Sequence, residues 1–203
     1  MPDTISRQSE RTQGLLATAV SEGCAPAVLV TLFLLVVAFG AVGWPEGLLY
    51  SLVAVGFTTA LPLAAVVSLV RLGRLTDHHI SDRRQRAPVL AASLSSITVG
   101  LVLLVALDAP GNLLAAVIST VGGVVAVLVV NLWWKLSAHS AVAVFVAVGS
   151  VALLGPWAGV LVAVPAIVGW SRVHLRVHTQ AQVVAGYLVG AAIGAAFTLV
   201  VGT

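Results

Sequence analysis

The sequence predicts an all-α protein, a polytopic bundle of about seven transmembrane helices, and three observations predict it. The 203 residues are 60% hydrophobic and only 8% charged, with a mean hydropathy of +1.10, whereas a soluble surface needs roughly a quarter of the residues charged. The apolar residues gather in runs about as long as a helix needs to cross ~30 Å of hydrocarbon at ~1.5 Å per residue. The basic residues fall in alternate gaps between those runs, as the loops of a polytopic chain require.

Residues 1–24 form a polar N-terminal segment with no basic cluster directly before the first apolar run, so no cleavable signal peptide is expected. Residues 25–203 are expected to form one membrane domain. Its seven runs are Ala25 to Val42, Leu48 to Val70, Val89 to Leu107, Leu113 to Leu132, His139 to Leu154, Trp157 to Trp170 and Ala181 to Val201. The fifth and sixth are short, and only Gly155-Pro156 separates them. Proline disfavours helical geometry in the residue before it, so Gly-Pro-Trp predicts a hairpin here, not one long helix from His139 to Trp170. Short spans are tolerable where polar loops sink into the interface or the bilayer thins. The lone Cys24 excludes intramolecular disulfides and thiolate metal clusters. No repeat or low-complexity tract suggests a second domain.

With seven crossings, the N-terminal segment and the loops after the second, fourth and sixth helices share one side. All ten basic residues lie there: Arg7, Arg11, Arg71, Arg74, Arg83, Arg84, Arg86, Lys135, Arg172 and Arg176. The opposite loops, around Trp44-Pro45-Glu46-Gly47, Asp108 to Asn112 and Gly155-Pro156, contain no Lys or Arg. The positive-inside bias makes the basic side cytoplasmic, in a protein expected in the plasma membrane. Arg71 and Arg74 are explained as topology anchors. Arg83, Arg84 and Arg86, interleaved with Asp77, His78, His79 and Asp82, are less like simple anchors.

Two constellations end apolar runs: Lys135-Leu136-Ser137-Ala138-His139, and Ser171-Arg172 followed by His178. A polar group beside lipid needs a partner or a task, because burying it unpaired costs about 2–7 kcal/mol. If the three basic segments converge, several cations, imidazoles and a serine meet with few carboxylates. That set suits a phosphate monoester or diphosphate, with arginines and lysine on the equatorial oxygens. One imidazole attacks phosphorus and another protonates the departing oxygen, since histidine has an unperturbed pKa near neutrality. His178 and Gln182 are four apart at the start of the last helix, where Gln182 is placed to orient the ring. That helix N-terminus also favours a phosphate oxygen. The scheme requires no metal and no cofactor.

These residues carry a resemblance. Ser171-Arg172, five intervening residues and His178 match most of the third signature of the phosphatidic acid phosphatase type 2 superfamily, Ser-Arg-x5-His-x3-Asp. Ser137-Ala138-His139 resembles the second, Pro-Ser-Gly-His, and Arg86-Ala87-Pro88 a loosened form of the first, Lys-x6-Arg-Pro. The match runs from about Arg74 to the C-terminus. It implies a six-helix phosphatase-type core with an added N-terminal helix. In that reading His178 is the nucleophile that becomes phosphohistidine, His139 the general acid, and Arg172, Arg86 and Ser137 bind phosphate. Lys135, His79, Arg83, Arg84 and Ser171 are further candidates for phosphate binding.

The sequence departs from the signatures at defined places. Leu136 stands for Pro and Ala138 for Gly, His79 lies where the first signature has Lys, and Gln182 replaces the Asp that would support the imidazole. An amide fixes a tautomer but does not stabilise an imidazolium, which leaves three alternatives: an activity weakened by Gln182, a compensating carboxylate such as Asp77 or Asp82, or an abandoned activity. The expected activity is metal-independent removal of phosphate from a lipid or polyprenyl phosphate, with that substrate and membrane lipids as partners and no nucleic acid. The alternatives are a transferase of the same fold and a non-catalytic lipid-phosphate binding or transport protein. Trp133, Trp134, Trp157 and Trp170 are explained as interfacial belt residues, His78 and His174 as partners of backbone carbonyls, and Gly186, Gly190 and Gly194 as a close-packing stripe. The lipid and the oligomeric state are left open.

Overall fold

A computed structural model describes the backbone of residues 2–75 and 83–202 and the side chains of residues 11–75 and 88–202. Every apolar run of the sequence is helical. In chain order the helices are α1 (Pro2–Gly23), α2 (Pro26–Val42), α3 (Glu46–Val55), α4 (Leu61–Arg71), α5 (Arg83–Ala106), α6 (Gly111–Trp133), α7 (Ala138–Leu154), α8 (Ala163–His174) and α9 (Gln180–Val201). A π turn, Gly56–Ala60, joins α3 to α4, and a 3-10 segment, Pro156–Val162, leads into α8. No strand occurs among the described residues.

Five helical stretches are individually long and apolar enough to cross a membrane, and a sixth is obtained if α1 and α2, bent by 46° at their joint, are taken as one broken span. The count of seven rested on α2 and α7 each crossing alone. Both have 17 residues, or about 25 Å of helix, short of the ~30 Å hydrocarbon core. The N-terminal segment, expected only to be polar, is helical, with Leu15, Leu16 and Val20 forming its apolar part. The hairpin between the fifth and sixth runs is present. Gly155 at φ 87° ends α7, and the 3-10 segment and α8 pack back against it.

Pro62 explains the π turn. It lacks an N–H, and its ring excludes a regular helical carbonyl one turn earlier, so the helix widens and the Leu61 N–H bonds back to the Gly56 carbonyl. Phe57 O then has no backbone donor ahead of it, and Ser96 Oγ of α5 donates to it at 2.7 Å. A buried carbonyl in a membrane bundle is thus satisfied by a neighbouring helix.

The closest helix pair is α7 and α9. A Cβ on Gly186 would lie 2.6 Å from the Ser137 carbonyl oxygen, one on Gly190 2.2 Å from that of Ala141, and one on Gly194 2.8 Å from Val148 Cβ. Only glycine admits backbones this near, the small-residue packing that substitutes for a hydrophobic driving force in lipid. Below this contact Phe33, Phe145 and Phe197 meet edge to face at centroid distances of 5.3–6.0 Å, tying α2, α7 and α9 together. The outward residues, among them Leu52, Val102, Leu188 and Leu199, are large and apolar, as a lipid-facing surface requires.

Candidate functional site

The loop between α6 and α7 and the loop between α8 and α9 are fastened together at one end of the bundle. Lys135 Nζ donates to the Val177 carbonyl at 2.7 Å, and the Ser137 N–H donates to the Gln182 carbonyl at 3.3 Å. Ser137 also caps α7, accepting from the Ser140 N–H, and its hydroxyl lies 2.9 Å from that of Ser140. The second and third motifs, about forty residues apart in the chain, therefore share one surface.

The α8–α9 turn presents His178. The N–H groups of Val177 and His178 both reach the Arg172 carbonyl at 3.2 Å, closing the end of α8. Arg176, at φ 55°, reverses the chain, a conformation that costs a non-glycine residue about 1–2 kcal/mol. Thr179 then caps α9 in a reciprocal capping box with Gln182. Gln182 Oε1 accepts from the Thr179 N–H and lies 3.2 Å from His178 Nδ1. A backbone N–H only donates, so the shared atom is the amide oxygen, and Nδ1 carries the ring proton of the neutral imidazole. Nε2 is left with the lone pair.

Arg172 and His139 belong to a second part of the site, in the cleft between α7, α8 and the α1–α2 joint. Ala143 of α7, Val168 of α8 and Leu29 of α2 pack in one cluster. His139 precedes Ala143 by four residues and Arg172 follows Val168 by four, so in this antiparallel pair each stands one turn nearer the motif end, on the facing sides. His139 is 9% and Arg172 5% exposed. Arg172 Nη1 donates to Ser21 Oγ of α1, and Glu22 follows Ser21 at the end of that helix. Arg172 Nε is buried and finds no hydrogen-bond partner among the described residues, although a guanidinium offers five donors in a fork that matches phosphate.

The remaining candidates are placed less directly. Ser171 is fully buried, and its hydroxyl donates to the Val168 carbonyl of its own helix at 2.8 Å. Arg83, Arg84 and Arg86 begin α5, with side chains outside the described set, and His79 lies outside the described residues with Asp77, His78 and Asp82. Ser21 was missed by sequence reasoning. Its only signal is the small-residue spacing Ala17, Ser21 on one face of α1, and both are buried.

An apolar cavity of about 260 Å³ lies between α2, α4, α5, α6 and α7. Hydroxyls of Thr59, Ser93 and Thr120 join a mostly apolar lining that runs along α7 through Phe145 and Ala141 to Ala138. Ala138 stands between Ser137 and His139 in the chain, while Lys135, Ser137, His139, Arg172 and His178 are not among the lining residues.

Comparison with protein-family models, with curated proteins and with solved structures finds no match to this chain.

Proposed function

We propose that this is an integral membrane phosphatase, similar in site chemistry to the phosphatidic acid phosphatase type 2 superfamily, that removes phosphate from a lipid or polyprenyl phosphate through a phosphohistidine. The observation that carries the reading is Arg172, a guanidinium nineteen-twentieths buried whose Nε has no partner among the described residues. Leaving such a donor unmade inside a low-dielectric bundle is costly. A phosphate oxygen satisfies it, with the N-terminal N–H groups of α7 as further anion donors.

In this reading the Nε2 lone pair of His178 attacks phosphorus and the ester P–O bond breaks. The departing oxygen takes a proton from His139 as imidazolium. Water then attacks the phosphohistidine, His139 accepts its proton, and the P–N bond breaks to release inorganic phosphate. Lys135, Ser137 and the basic start of α5 add to phosphate binding, and the hydrocarbon chain occupies the apolar cavity whose lining reaches Ala138. At about 260 Å³ that cavity lies at the small end for ligand sites, which favours one chain over two. The basic loops put this end of the bundle at the cytoplasmic face of the plasma membrane, with the seven apolar runs disposed as a six-helix core plus an N-terminal helix.

The test is release of inorganic phosphate by purified protein from polyprenyl and diacylglycerol phosphates in the presence of chelator. His178→Ala is expected to abolish release while keeping its helical content and micelle elution volume. Unchanged activity in that variant would remove the mechanism. A second reading, a lipid-phosphate binding protein without turnover, is favoured by Gln182: its amide completes the capping box but brings no negative charge to the imidazole.

A further inference from the structure

One donor of Arg172, at Nη1, is turned onto the chain itself, on Ser21 of α1. Among the described residues, α1 packs chiefly on α8, and it buries little there. Ala17 and Ser21 are its fully enclosed residues, while Leu15 and Leu16 remain 66% and 55% exposed. So few apolar contacts put a segment at the low-stability end of a structure. Its joint to α2 is a 46° bend at Cys24-Ala25, set by Pro26. What it brings toward Arg172 is chemically particular: a hydroxyl oxygen on Nη1, a carboxylate on the next residue, Glu22, and the negative end of a helix that terminates at Gly23. An oxygen acceptor, a negative charge and a negative dipole end are the features by which a phosphate monoester would address the same guanidinium.

We propose that α1 is a displaceable plug, its Ser21-Glu22 end standing in for phosphate on Arg172 and giving way when a phosphate monoester binds. The proposal rests on the reading of Arg172 as the phosphate ligand. A serine hydroxyl offers the guanidinium one neutral acceptor, whereas a phosphate offers charged oxygens that engage two donors of the fork at once, so the exchange favours the incoming anion. Because the plug competes with the ligand, apparent affinity is lowered by the fraction of molecules in which it is seated.

The experiment uses the full chain in detergent micelles, with inorganic phosphate in one arm and a prenyl monophosphate in the other. Amide hydrogen exchange is followed over residues 14–23 and binding is followed by calorimetry. Either ligand is expected to speed exchange in α1 of the unmodified protein, and Arg172→Gln is expected to lose that response. If only the prenyl ester does so, the plug is released by the lipid and not by free phosphate. Ser21→Ala is expected to tighten binding of the active ligand by about threefold to tenfold, the worth of one hydrogen bond, and Ser21→Asp to weaken it. Binding that leaves α1 exchange unchanged or slower overturns the plug, as does weaker or unaltered binding by Ser21→Ala, or the absence of binding in both proteins. Binding with release of α1 but no hydrolysis leaves the plug standing and removes the phosphatase reading instead.

Discussion

The proton on His178 is assigned by a neighbour that has no choice of role. The Thr179 N–H fixes Gln182 Oε1 as the acceptor, and that oxygen in turn draws Nδ1–H. Position 182 therefore sets the tautomer without setting the charge. A triad aspartate changed to asparagine loses ~10⁴ in rate, so the reverse substitution here has room to gain. Gln182→Asp is expected to raise phosphate release at least ~10-fold, toward that ceiling, measured as kcat at saturating substrate. No turnover in either protein would support the binding-protein reading. The His178–Gln182 pair was legible because a spacing of four is a local property of a helix start. Ser21 was not, since its partner Arg172 lies 151 positions away and nothing in the sequence near Ser21 signals a guanidinium.

At the scale of the helices, the glycine stripe of α9 decides how close the second and third motifs lie. Gly190→Val would drive its first carbon into the Ala141 carbonyl oxygen, 2.2 Å away, and backbone cannot yield as a side-chain tip does. A loss of about 1–3 kcal/mol is expected, read as an earlier transition in mixed-micelle unfolding, together with loss of activity. Gly40→Ala on α2, which meets nothing within 4 Å, is expected to be neutral or stabilising by up to ~1 kcal/mol. A Gly190 variant as stable as the Gly40 one would refute the packing account. The stripe was readable from spacing alone. The π turn was not, because the run from Leu48 to Val70 is uniformly apolar and the donor that satisfies Phe57 O comes from Ser96, 39 residues later. The helicity of α1 was hidden by its polarity, whereas the shortness of α7, with 17 residues, was legible in the length of the fifth apolar run.

For the whole molecule, the boundaries of the apolar runs were legible to within a few residues, whereas their number as crossings was not. Length and composition support five or six spans, and the remainder depends on how α1, α2 and α7 meet the interface. The proposed sidedness rests on the bias of basic residues to cytoplasmic loops. In a Cys24→Ser background, Arg176→Cys, exposed in the α8–α9 turn, is expected to react with a membrane-impermeant maleimide only from the cytoplasm. Trp157→Cys, where the native side chain is 71% exposed at the other end, is expected to react only from outside. The opposite pattern would invert the topology. Convergence of the motifs around one phosphate is the claim on which the rest depends, and the enzyme-bound phosphate tests it most directly. Rapid acid-free quenching of the protein with radiolabelled prenyl phosphate, followed by peptide mapping, is expected to find an acid-labile, alkali-stable label on His178 that is absent from His178→Ala. Phosphate release with no labelled intermediate, or a label that persists when His178 is removed, would contradict the account.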